Sequence, residues 1–130
     1  VRGCADAKLV DVARVVAAGL LAAGDNISVC LDPSLGEGLG RALRSVGVAV
    51  TTASDEDWYA SLGASRVRLV GGNPSRAADE ADGDPDLALW ANEVTSAPQV
   101  ELLPFLREQS VSATAHRFGN PDAGVLSVRL

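Results

Sequence analysis

Residues 27–70 read ISVCLDPSLGEGLGRALRSVGVAVTTASDEDWYASLGASRVRLV, and the alternation within them decides the fold. Ile27-Ser28-Val29-Cys30-Leu31 is a short apolar, β-prone run between turn formers, the pattern of a strand buried on both faces. Ser34 followed by Glu37 makes a capping-box pattern that predicts a helix. Leu35, Leu39, Leu43 and Val46 fall on or near one stripe of it, and Gly47 ends it. Val48 to Thr52 is a second predicted strand. Ser54 with Asp57 repeats the cap for a helix that carries Trp58 and Leu62 and stops at Gly63. Arg66 to Val70 is a third predicted strand.

The same alternation extends outward. On the N-terminal side, Leu9, Val12, Val16 and Leu20 recur at helical spacing within Asp6 to Ala23, with Gly24 as the stop. On the C-terminal side, Gly71-Gly72-Asn73-Pro74 reads as a tight turn, with Asn73 as N-cap and Pro74 as first residue of a polar helix to Asp82. Leu87 to Trp90 is a fourth strand. Gln99 to Glu108 is helical in pattern but holds Pro104, which predicts a kink or two short turns. Alternating elements of this kind predict an α/β fold: a Rossmann-like, three-layer parallel sheet of about four or five strands with helices on both faces.

The tail has a different rhythm. Ser110 to Ala115 and Val125 to Leu130 alternate small or polar with apolar residues around Gly119-Asn120-Pro121. They predict a C-terminal β-arm, so residues 1–109 read as the Rossmann-like domain and residues 110–130 as a flap. An arm with unpaired edges implies a partner surface or self-association.

Composition narrows the function classes. Apolar residues make up 47% of the 130, enough for a core, while aromatics are only 4%, so Val, Leu, Ala and Ile must fill it. The net charge of -6 gives no counterion release on DNA, and no basic run suggests a phosphate backbone or membrane surface, so nucleic acid is excluded as a partner. The apolar stretch from Leu9 to Ala23 is interrupted by Asp11 and Arg14, so it reads neither as a signal peptide nor as a membrane span. Cys4 and Cys30 do not make a disulfide framework; Cys30 is expected as a buried thiol, Cys4 near an unanchored N-terminus, and the setting as cytoplasmic. The chain begins at Val1 and contains no methionine, which we read as a segment of a longer polypeptide.

No residue pattern completes a catalytic centre. Gly71-Gly72-Asn73-Pro74 follows a strand and precedes a helix, where a phosphate can sit on backbone N–H groups. The dinucleotide fingerprint, however, requires glycines in the turn after the first strand, which is read here as Asp32-Pro33-Ser34-Leu35-Gly36 and lacks the first two. Asp32 follows a strand as a phospho-acceptor would, but the only lysine, Lys8, lies early in the chain where no receiver domain uses it. His116 is the only histidine, so no zinc site can be built around it, and no G-x-S-x-G accompanies it. Asp79, Glu80, Asp82, Asp84 and Asp86 lack calcium-loop spacing and read as a solvated loop.

The stretch from Val100 to Pro121, VELLPFLREQSVSATAHRFGNP, resembles the extreme C-terminal region of the proline utilisation A family. Members of that family join a proline dehydrogenase to an L-glutamate γ-semialdehyde (pyrroline-5-carboxylate) dehydrogenase of the aldehyde dehydrogenase superfamily, and use FAD and NAD. The specific likeness covers about a sixth of the chain. It implies a non-catalytic accessory domain, an enzyme in no sense by itself, without bound cofactor or metal. Such a domain packs on the aldehyde dehydrogenase domain and covers the substrate-channelling tunnel. Arg107, Glu108, Ser110, Val111, Ser112, Thr114, His116, Arg117, Phe118 and Asn120 would then be interface residues of the flap and its lead-in. The chain departs from the whole enzymes in having no catalytic cysteine or glutamate motif and no flavin-binding barrel. Against this stands a free-standing small-molecule or nucleotide-binding α/β domain, which the missing turn glycines disfavour.

Overall fold

The computed structural model describes residues 1–63 and 66–107, and the backbone of residues 116–117 and 120–121. Five parallel strands form one sheet: β1 (Arg2–Gly3), β2 (Ser28–Leu31), β3 (Ala49–Thr52), β4 (Arg66–Val70) and β5 (Ala88–Trp90), in the order β3-β2-β1-β4-β5. The chain winds outward from β1 to β3, returns across the sheet, and winds the other way through β4 and β5. This is the doubly wound order.

The central strand is the one the sequence did not announce. β1 has two residues, too few for any periodicity, and one of them is arginine. Its ladders set it in the middle all the same: Arg2 pairs with Cys30 and with Leu69, and Gly3 with Leu31 and with Val70. The Cys4 N–H extends the ladder to the Val70 carbonyl at 3.0 Å. Cys4 is therefore anchored and fully buried, not near a loose terminus, whereas Cys30 is only half-buried. Gly3 is required by its neighbours, because a Cβ there would lie 3.1 Å from Leu31 Cδ2 and 3.2 Å from Val12 Cγ2.

Helix α1 (Leu9–Ala23) starts three residues later than the periodicity suggests, since Cys4 to Lys8 form the turn after β1. Its Val12, Val15 and Val16 pack with Val29, Leu31 and Val70 of the sheet and with Leu43 of α2 (Glu37–Ser45). Each such side chain contributes about 1.5–3 kcal/mol by leaving water. The capping box expected at Ser34 does not form. Asp32 instead caps a 3₁₀ turn over Pro33–Leu35, and Gly36, at φ 78°, breaks the chain before α2 begins at Glu37. Left-handed backbone at Gly36 is what a continuous helix cannot contain.

On the opposite face, α3 (Asp55–Ala60) and α4 (Pro74–Glu80) cover Cys4, Val67 and Leu69 through Tyr59 and Ala77. Their caps follow the sequence: Ser54 Oγ accepts from Asp57 N at 3.1 Å and Asn73 Oδ1 from Arg76 N at 3.2 Å. The segment around Pro104 forms two short turns, α5 (Pro98–Leu102) and a 3₁₀ turn over Leu103–Phe105, packed on α1. β6 (His116–Arg117) and β7 (Asn120–Pro121) pair antiparallel, His116 with Pro121 and Arg117 with Asn120. The remainder of the expected flap lies outside the described residues.

Candidate functional site

In an open doubly wound sheet, ligands bind outside the carboxyl ends of the strands where the winding reverses. Here that point lies between β1 and β4. The turn after β1 is Cys4-Ala5-Asp6-Ala7-Lys8, which corrects the assignment of the first turn to Asp32–Gly36. It too lacks the glycines of a dinucleotide site. A crevice of about 350 Å³ opens there, lined among others by Asp6, Lys8, Asp11, Gly71, Pro74 and Glu93.

Its wall carries a charge of the protein's own. Asp6 Oδ1 accepts a hydrogen bond from the Gly72 N–H at 2.6 Å. Gly71 and Gly72 stand at φ 72° and 74°, where L residues are strained, and a Cβ on Gly71 would collide with the Asp6 carboxylate. The turn is braced from beneath by Tyr59, whose hydroxyl accepts from Asn73 N at 2.9 Å and donates to Asn73 O at 3.2 Å. Arg76 lies over the Tyr59 ring at 4.6 Å and pairs with Glu56 at 2.9 Å. At the start of α1, Lys8 supplies no side-chain cap, and Asp11 in the first turn pairs with Arg14 at 3.0 Å. The crevice thus brings Asp6, Asp11 and Glu93 around one lysine, so a diphosphate entering it meets carboxylates where a coenzyme site offers free N–H groups.

Beside the crevice, a buried ionic cluster joins β1, β2 and β3. Arg2 is 1% exposed; its Nη2 bonds Asp55 Oδ1 at 2.5 Å and lies 3.7 Å from Asp32 Oδ2. Its Nη1 donates to the Ala53 carbonyl at 3.1 Å and to Cys30 Sγ at 3.2 Å, and the guanidinium sits 5.4 Å from the centre of the Trp58 ring. Its Nε has no partner among the described residues. Burial opposes the charge on Arg2, but hydrogen bonds to Asp55, Cys4 and Cys30 outweigh it and raise its pKa further. Asp32 accepts from the Ser34 hydroxyl at 2.6 Å, the Ser34 N–H at 2.9 Å and the Asp55 N–H at 3.1 Å. The Ser34 hydroxyl foremost, then these N–H groups and Arg2, hold its carboxyl below the usual range against the effect of burial. Burial pushes the Cys4 thiol up to about 11, so it remains a protonated, sealed thiol at neutral pH, the opposite of an activated nucleophile. Two carboxylates that each hold a defined donor set make a brace between strand ends and not an acid–base pair.

A second buried pair fixes the other half of the sheet. Arg68 on β4 donates from Nη2 and Nε to Glu101 Oε2 at 3.0 and 3.3 Å, and from Nη1 to the Asn92 carbonyl at 2.9 Å. Glu101 Oε1 accepts the Thr95 N–H at 2.7 Å. The pair ties the chain after β5 to the sheet.

Of the residues expected at an interface, Arg107 is exposed at the opposite, amino end of the sheet. His116, Arg117 and Asn120 are placed by their backbone alone, in β6 and β7. Glu108, Ser110, Val111, Ser112, Thr114 and Phe118 lie outside the described residues. The structure adds Arg2, Asp6, Arg68 and Glu101. A charged residue in the middle of each of two otherwise strand-like or apolar runs, Arg68 and Glu101, was the available signal for that pair.

Among the described residues no group of three or more His, Cys, Asp and Glu side chains is arranged to hold a metal, and no helix is long and apolar enough to cross a membrane. Fold and site together define a doubly wound α/β domain whose switch-point turn is closed by an internal carboxylate. In comparison with protein-family models, curated proteins and solved structures, the chain matches none.

Proposed function

We propose that this chain is a non-catalytic accessory domain of a bifunctional proline dehydrogenase / L-glutamate γ-semialdehyde dehydrogenase. It packs on the aldehyde dehydrogenase domain and covers the tunnel that carries pyrroline-5-carboxylate and its open semialdehyde between the two active sites. The choice of family rests on the likeness of Val100 to Pro121. The observation that supports the non-catalytic part is the Asp6 carboxylate on the Gly72 N–H, which occupies a backbone donor at the switch point that an anionic ligand would otherwise meet. FAD and NAD belong, in this reading, to the parent enzyme. The role is containment: a wall slows escape of the intermediate and keeps its local concentration high near the second site. The setting is the cytoplasm, and the flap, Ser110 to Ala115 and Val125 to Leu130, supplies edge-strand pairing to the partner domain.

The test is a pull-down of this chain against the bifunctional enzyme lacking the corresponding region. Stoichiometric capture is the expected result; no capture overturns the proposal. The 350 Å³ crevice at the switch point favours one second reading, a free-standing small-molecule-binding domain. A thermal-shift screen with NAD and FMN separates the two, since a saturable upward shift would favour that second reading over the first.

A further inference from the structure

At the amino end of the sheet, opposite the crevice, β1, β2 and β4 begin around a cleft of about 690 Å³. Arg66, Arg68 and Arg107 line it, and among the described residues no Asp or Glu does, in a chain whose net charge is -6. Arg68 is already engaged by Glu101 from behind. Arg66 is held in place on one side only. Its Nη1 donates to the Pro104 carbonyl at 3.3 Å and to the Leu106 carbonyl, while its Nε and Nη2 make no hydrogen bond among the described residues. Arg107 beside it has no partner among them either. The floor is apolar: Ile27 is 9% exposed and Phe105 is half-buried. The Phe105 ring is fixed against Gly19, where a Cβ would lie 3.0 Å from its Cε1.

We propose that this cleft binds a small organic carboxylate. The Nε–Nη2 edge of Arg66 is the flat two-donor fork that matches a carboxylate, and its other edge is tied down, so little side-chain freedom is lost on binding. Arg107 adds a second positive charge at the mouth. Ile27 and Phe105 take the apolar part of the ligand, giving the combination of apolar wall and few oriented polar groups that small-molecule sites share. The site is separate from the switch-point crevice, and it shares Arg107 with the interface expected under the proposed function.

The experiment is a ¹H–¹⁵N NMR titration of the full chain with hexanoate as probe, and with hexanol as its uncharged counterpart. Hexanoate is expected to move the amides of Ile27, Ser28, Phe105 and Leu106 saturably, and hexanol to leave them in place. Arg66→Gln removes the fork and is expected to weaken hexanoate by about tenfold, the effect of one charge-assisted contact. Because Arg66 also ties down two carbonyls, Arg107→Gln serves as the second variant, expected to weaken binding by about threefold with the spectrum otherwise unchanged. Equal response to hexanol, no saturation with hexanoate, or indifference to both substitutions overturns the proposal. So does binding of a glutamate-rich decapeptide in place of hexanoate, which would make the cleft a docking surface for an acidic protein segment.

Discussion

Removing either partner of the Arg68–Glu101 pair should be far more harmful than removing both. The two side chains are 3% and 5% exposed and joined by two hydrogen bonds. Glu101→Gln keeps the shape and the acceptor for the Thr95 N–H but leaves the Arg68 charge buried without a counter-charge. Arg68→Met leaves the Glu101 carboxylate with only the Thr95 N–H at 2.7 Å. Each single substitution should therefore cost about 3–5 kcal/mol, since an uncompensated buried charge retains its desolvation penalty. The double variant leaves no buried charge at this pair, and should lose only about 1–3 kcal/mol, mainly the carbonyl contacts of Arg68. For a domain of 130 residues, where 1 kcal/mol moves Tm by roughly 3–5 °C, the singles should fall by about 10–20 °C and the double by much less. Urea denaturation followed by circular dichroism gives all four corners of the cycle. Losses that simply add, within about 0.5 kcal/mol, would show that the two charges do not depend on one another and refute the reasoning.

Three further outcomes follow from the same geometry. Gly72→Ala places a Cβ 2.6 Å from Cys4 Sγ and 2.8 Å from Tyr59 Oη at φ 74°, so it should cost about 2–5 kcal/mol from strain and overpacking, read by thermal melting; a loss below 0.5 kcal/mol would contradict the packing. Cys4 should resist thiol reagents until the protein unfolds. Because its folded pKa of about 11 lies above the ordinary 9.0, the unfolded chain ionises first, so stability should fall as pH rises from 9 to 11, by up to about 1.4 kcal/mol per pH unit; in Cys4→Ala this part of the alkaline loss disappears. Asp32 works in the other direction. Its folded pKa lies below the ordinary 3.8, so its contribution is complete above that value and lost as pH falls through the folded one; Asp32→Asn should flatten the acid limb of a stability–pH curve, and an unchanged limb would count against the ionic cluster.

The layered fold was legible because its evidence is repetitive. Val29 and Leu31, Val67 and Leu69, and the caps Ser54 and Asn73 all sit where periodicity and turn chemistry place them. What escaped was non-local. β1 is a strand only because β2 and β4 flank it, and two residues carry no period of their own. Missing it moved the first turn from Cys4–Lys8 to Asp32–Gly36, and with it the switch point. The Ser34 capping box failed because Asp32, whose carboxylate caps the preceding turn and accepts from Asp55, outcompetes it. The Asp6–Gly72 contact joins residues 66 positions apart, so local patterns contain no trace of it. Arg68 and Glu101 stand out as charges within strand-like or apolar runs, but which charge neutralises which depends on the strand order, and Arg2 carries no such signal because β1 shows no period.

The proposal that the chain acts as a wall and not as a catalyst is tested most directly by leakage. The bifunctional enzyme lacking this region, supplied with proline and NAD, would be followed with an o-aminobenzaldehyde trap for free pyrroline-5-carboxylate, with and without the added chain. The account predicts that the added chain lowers the trapped intermediate and shortens the lag in NADH formation while leaving the proline dehydrogenase rate unchanged. Equal trapping and an equal lag with and without the chain would contradict it.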